Sequence, residues 1–174
     1  MVVVNQSFQL PVWLPNYELR KHKILGKSVV SPSRSNDCLD DVIEESLCLG
    51  LPLLTNELHS IVVTLGAHGV LLITTLAASS PFPTKESVAE VTKPRAVYYP
   101  APRTKNLISV SGAGDCFAAG MIASIVLGLE PNHCIYAGQR AAALSLHSHL
   151  AVPDTLNSDE VFNFQEPIQK RNIL

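Results

Sequence analysis

The chain has 174 residues, 47% of them apolar and 16% charged, enough to bury one core of ordinary domain size and too apolar for wholesale disorder. Its 13 Lys and Arg against 15 Asp and Glu leave a net charge of −2, which supplies no field to hold a polyanion, so no nucleic-acid partner is expected. Cys38, Cys48, Cys116 and Cys134 stand apart, without the two-residue spacing that presents paired thiolates to zinc. Scattered thiols, no basic leader and no apolar run near ~20 residues predict a cytoplasmic protein with reduced cysteines and no membrane partner.

Short β-branched runs alternate with helical patterns, which predicts an α/β sheet covered by helices. In chain order, strands are expected at 2–5, 60–64, 70–74, 96–99 and 107–110. A helix is expected over 40–51, where acidic residues cluster early and Gly50 comes near the end. Serine-rich 28–37 and proline-broken 79–95 read as loops. From Gly114 a helix should bury a stripe of Phe117, Ala118, Met121, Ile122, Ile125, Val126 and Leu129. Gly128 and Pro131 then punctuate, and a second helix rich in small residues is expected over 131–150. The tail after Pro153 reads as a loosely attached end in which 161–164 can form a short docked element.

The segment richest in chemistry is Ser109-Val110-Ser111-Gly112-Ala113-Gly114-Asp115-Cys116-Phe117. Glycines flanking an alanine allow a tight turn whose N–H groups point out of the first turn of the following helix. That end carries about half a positive charge, which suits a phosphate. Asp115 would repel a phosphate merely resting there, so its placement makes sense if the carboxylate handles a proton during phosphate transfer. A P-loop would need a lysine and a Ser or Thr closing the glycine loop, and a dinucleotide fingerprint a small residue where Phe117 stands; neither fits. The plainer alternative is a helix capped by Ser111, with Asp115 serving the dipole.

Residues 109–122 resemble the second signature of the pfkB, or ribokinase-like, carbohydrate and nucleoside kinases. The resemblance implies a three-layer α/β/α fold, present here as its C-terminal, nucleotide-binding half. It implies an anion hole at Gly112, Ala113 and Gly114, and Asp115 as general base. Upstream, Val62-Val63-Thr64-Leu65-Gly66-Ala67-His68-Gly69-Val70 is similar to the family's strand-turn-strand beside the nucleotide, making Thr64, Gly66 and Gly69 nucleotide-side candidates; on residues alone it is a tight turn between strands. Ala141, Ala142 and Ser145 match where the family packs small residues against adenine, and packing against the sheet would also explain them. Asn16 and Glu18 resemble the family's Asn-x-x-Glu, which organises magnesium, but one residue separates them instead of two; a solvated turn is the alternative for this metal candidate.

The implied partners are ATP and a small sugar or nucleoside, with Mg2+, a monovalent cation and homo-oligomerisation compatible with the family. Ser109-Val110-Ser111 departs from the commoner Asp-Thr lead-in and looks more like pseudouridine kinases. The expected partial domain has its core at about 14–152 and a tail at 153–174, where a complete one is on the order of 300 residues. The absent half is where the family keeps its sugar-binding strands and lid, so impaired activity of the chain alone is expected. The competing class is a non-catalytic truncated nucleotide-binding or interaction module, whose newly exposed surface would be apolar. His68 reads as a solvated loop residue, Cys116 as a packed thiol, and His147 and His149 as unable to share a helix face for a metal.

Overall fold

The computed structural model describes residues 2–5, 38–79, 81–82, 91–164 and 167–174. The expectations at 28–37 and at Asn16 and Glu18 lie outside them. In chain order the elements are β1 (Val2–Asn5), α1 (Leu39–Gly50), β2 (Ser60–Thr64), β3 (Gly69–Leu76), β4 (Val91–Pro100), α2 (Ala113–Val126), α3 (Pro131–Ser145), α4 (Ser158–Val161) and β5 (Arg171–Asn172), with single 3-10 turns at Leu51–Leu53 and Gly66–His68. The strands form one sheet in the order β1-β2-β3-β4-β5. β1 runs parallel to β2 and the remaining pairs are antiparallel.

Alternation along the strands sends side chains to two covered faces, which is why β2 and β3 read as nearly unbroken apolar runs. Val62, Val70, Leu72, Val97 and Tyr99 pack with Phe117 and Met121 of α2 and Cys134 and Ile135 of α3. Ile61, Val63, Leu71, Ile73, Ala96 and Tyr98 pack with Ile43 and, at its margin, Leu39, Val42 and Leu47 of α1. The result is three layers, α1 over one face and α2 with α3 over the other. α1 starts with Asp40 and Asp41 in its first turn, where the dipole favours carboxylates. Its last residue is Gly50, where a Cβ would overlap the Ile73 side chain.

Several expectations need correction. The segment 107–110 is not a strand. The Ile108 and Ser109 N–H groups both donate to the Leu146 carbonyl, at 2.8 and 3.3 Å, so no ladder forms. β4 begins at Val91, inside the stretch expected to be a loop. Pro94, which has no N–H to donate, is accommodated beside an irregularity in β3 between Thr74 and Leu76. In α2 the buried residues are Cys116, Phe117, Gly120, Met121 and Ser124, whereas Ile122 and Val126 of the expected stripe are 48% and 78% exposed. With Ala119 and Ala123 they make an outward apolar row. α3 stops at Ser145, five residues before the expected end, so His147 and His149 are not helical.

The tail after Pro153 is fastened. Val161 is buried against Cys116, Ala137 and Ala141, with Phe162 and Phe164 packed beside them. Arg140 pairs with Glu160 at 3.6 Å. Arg171 reaches Asp40 of α1 at 2.7 Å, and β5 adds an edge to β4. Among the described residues no helix is long and apolar enough to cross a membrane.

Candidate functional site

The sheet brings its loops to one end. Thr64 closes β2 opposite Val70, and Val70 stands opposite Tyr99 near the end of β4. Gly69, which opens β3, pairs with Pro100. Thr64 is buried and Gly66 is exposed. Gly66 has φ +59 with open space around it, whereas Gly69 has φ +118 and a Cβ there would lie 2.6 Å from the Ala101 nitrogen. That close approach is what the second glycine permits. The His68 carbonyl accepts from the Ala101 N–H at 3.2 Å and from the Tyr98 hydroxyl, so the turn is tied to the end of β4 while the His68 side chain faces solvent.

From Pro100 the chain runs to the glycine turn. Gly112 adopts φ +80 as the N-terminal flank of α2, with no side-chain cap. The Ser111 cap of the plainer alternative is not formed; the Ser111 N–H instead donates to the Ser109 hydroxyl oxygen at 3.1 Å. Ala113 and Gly114 begin the helix and Asp115 stands in its first turn, exposed. The Ala113 N–H has a long bond, 3.4 Å, to the Val110 carbonyl, and the helix dipole makes this end receptive to an anion. Beside it, Cys116 is buried. Burial pushes its thiol above the ordinary range, and the Asp115 carboxylate adds to this against a lowering hydrogen bond with Ser145. That environment suits a packed thiol and not a nucleophile.

α3 packs against the start of α2, where Ala137 and Ala141 cluster with Cys116. Ser145 is fully buried and donates to the Ala142 carbonyl at 2.7 Å, with Ala142 half-buried and Ala141 buried. Gln139 of α3 donates to the carbonyls of Tyr99 and Pro100, at 3.2 and 2.9 Å. The structure thus gathers Gly112, Ala113, Gly114, Asp115, Ala142 and Ser145 around one helix end, and sets Thr64, Gly66 and Gly69 at the same end of the sheet. Glu18 lies outside the described residues. Among the described residues no group of three or more His, Cys, Asp or Glu gathers to hold a metal. Sequence reasoning missed the segment after α3: Ala151 lies against Gly112, so that a Cβ on Gly112 would sit 2.6 Å from the Ala151 carbonyl carbon. Only the need for glycine, not its neighbour, is visible in the sequence.

Comparison with known proteins gives the following. A family profile described as pfkB family carbohydrate kinase matches residues 35–157. A Clostridium perfringens protein assigned as a sugar kinase superposes with TM-score 0.52 at 14% identity, covering 79% of this chain and 36% of that chain. Ribokinase from Cryptococcus neoformans, solved in complex with ADP, gives TM-score 0.49 and 20% identity over 87% of this chain and 41% of its own. A Burkholderia thailandensis nucleoside kinase in complex with inosine gives 0.44 and 18% over 70% and 35%. No curated protein matches. The chain spans about a third of the length of the Clostridium chain it resembles.

Proposed function

Since the chain belongs to the pfkB family of carbohydrate kinases and has, in part, the ribokinase-like α/β fold, we propose that it is the nucleotide-binding side of an ATP-dependent phosphotransferase acting on a sugar or nucleoside hydroxyl. The observation that carries this reading is the left-handed Gly112 turn opening α2, with exposed Asp115 in the helix's first turn. In this reading the N–H groups of Gly112, Ala113 and Gly114 receive phosphate oxygens, and their dipoles are already aimed when charge develops. Asp115 accepts the proton of the attacking hydroxyl. Thr64, Gly66 and Gly69 line the nucleotide from the sheet end, and Ala142 and Ser145 from α3.

Asp115 is the carboxylate available at the turn, which fits a magnesium ion arriving on the nucleotide's phosphates better than one held by a protein cage. Bound there, magnesium would neutralise charge on the phosphate oxygens. Ser109-Val110-Ser111 supports a pseudouridine or ribonucleoside-like acceptor, and a cytoplasmic setting with reduced cysteines belongs to the same reading. A second reading is a nucleotide-binding or interaction module without catalysis of its own, or one that works as a homo-oligomer. The outward apolar row of α2 favours it.

Titration of the chain with MgATP tests the site. Saturable binding is expected, weakened at least ~10-fold by Gly114→Val, whose side chain would intrude where bare backbone meets phosphate. Asp115→Asn should leave that affinity nearly unchanged and, in an assembled active enzyme, lower turnover by ~10²- to 10⁴-fold. A chain that binds no MgATP, or a Gly114→Val variant that folds and binds like the wild type, would place the phosphate elsewhere.

A further inference from the structure

The loop that delivers the glycine turn, residues 101–112, has no regular secondary structure before its final turn. Nor is it anchored by burial, since Leu107, Ile108 and Val110 are 61%, 47% and 70% exposed. Beyond the Ala101 bond to the His68 carbonyl at its start, the loop is held by the segment directly after α3, at three places. At Lys105, the main-chain carbonyl meets the His147 ring Nε2 at 2.7 Å. A carbonyl can only accept, so Nε2 carries the proton and donates. In the middle, the Ile108 and Ser109 N–H groups converge on the Leu146 carbonyl. At the end, the Ala151 carbonyl accepts from the Cys116 thiol at 3.4 Å and presses against Gly112.

We propose that residues 146–151 are a clamp that sets the shape of the anion-receiving turn, with His147 as its positioning residue; this rests on the reading of that turn as the phosphate site. Each of the other contacts on the clamp side is made by a main-chain carbonyl, so His147 supplies its side-chain bond. Its bond holds the loop at Lys105, three residues before the first of the two N–H groups that meet Leu146. With that point loose, the Ile108 and Ser109 bonds must hold a longer free segment, and the glycine turn samples orientations in which its N–H groups no longer converge. His147 touches no reacting atom in this arrangement and acts only through Lys105 and the loop.

The test uses the intact chain with His147→Ala and His147→Gln, the second keeping an N–H donor at the end of a side chain of similar reach. Amide hydrogen exchange at Ile108 and Ser109 without nucleotide reports on the clamp, and MgATP titration reports on the turn. His147→Ala should speed exchange at both amides by several-fold and weaken MgATP about fivefold, the scale of one lost hydrogen bond. His147→Gln should restore most of both. Wild-type chain that binds no MgATP overturns the reading of the turn, and this proposal with it. Wild-type binding together with unchanged exchange in His147→Ala overturns the clamp alone. Faster exchange with unchanged MgATP affinity overturns the positioning role, and a His147→Gln variant that behaves like His147→Ala overturns the assignment to the ring N–H.

Discussion

Gly112 is constrained twice over, by a positive φ and by the backbone of Ala151 against its α-carbon. Gly66 carries only the first constraint, because nothing lies within 4 Å of the Cβ it would bear. The two positions therefore separate conformational strain from steric exclusion. Gly66→Ala should cost about 1 kcal/mol, the left-handed penalty alone. Gly112→Ala should cost at least about 2 kcal/mol more, since the obstacle is main chain that cannot rotate away. Urea denaturation of the two variants measures the difference, and equal costs would mean that Ala151 yields. From the sequence, the glycines of 112–114 are legible as a turn that needs bare backbone. The partner they approach is not, because Ala151 is separated from Gly112 by two helices and has no side chain distinctive enough to announce a contact.

At the scale of elements, α2 and α3 approach each other through a pair of glycines. A Cβ on Gly120 would lie 2.9 Å from the Ala137 carbonyl oxygen and 2.8 Å from the Ala141 Cβ, and one on Gly138 would lie 2.8 Å from the Phe117 ring. Each glycine is thus the recess that receives the other helix. Gly138→Val should force the helices apart or Phe117 out of its rotamer, costing roughly 1–3 kcal/mol by thermal or urea unfolding, beyond its helix-propensity gain. The small residues of 131–145 are legible as a licence for close approach, but α2 as the neighbour is not, since adenine or sheet would explain them equally. The two misread strands share a cause. Pro94 speaks against a strand locally, yet an irregular partner with a lenient register absorbs it. Leu107, Ile108 and Val110 favour a strand locally, yet their backbone donors find a single carbonyl after α3 instead of a ladder. Hydrogen-bond partners distant in sequence decide both cases. β5 escapes notice because two exposed residues, Arg171 and Asn172, carry no apolar alternation.

For the whole molecule, three layers enclose both faces of the sheet, and the fastened tail is tied back to α1 through Arg171 and Asp40. That long-range tie is invisible in a tail whose composition is polar. The outer side of α2 is the exception to this enclosure. Asp115, Ala119, Ile122, Ala123 and Val126 recur at three and four residues and are all exposed, so the carboxylate stands at the head of a water-facing apolar band. Such a band makes the molecule's solubility a function of the salt around it. Sulfate and similar ions are excluded from protein surface and raise the cost of keeping apolar area wet. The chain should therefore salt out at lower ammonium sulfate than its net charge alone would suggest, and Val126→Lys should raise that threshold without altering the melting temperature, as light scattering and calorimetry would record. The helix whose first turn we read as an anion site thus ends as a cohesive surface, and excluded salts are expected to bring copies of that surface together.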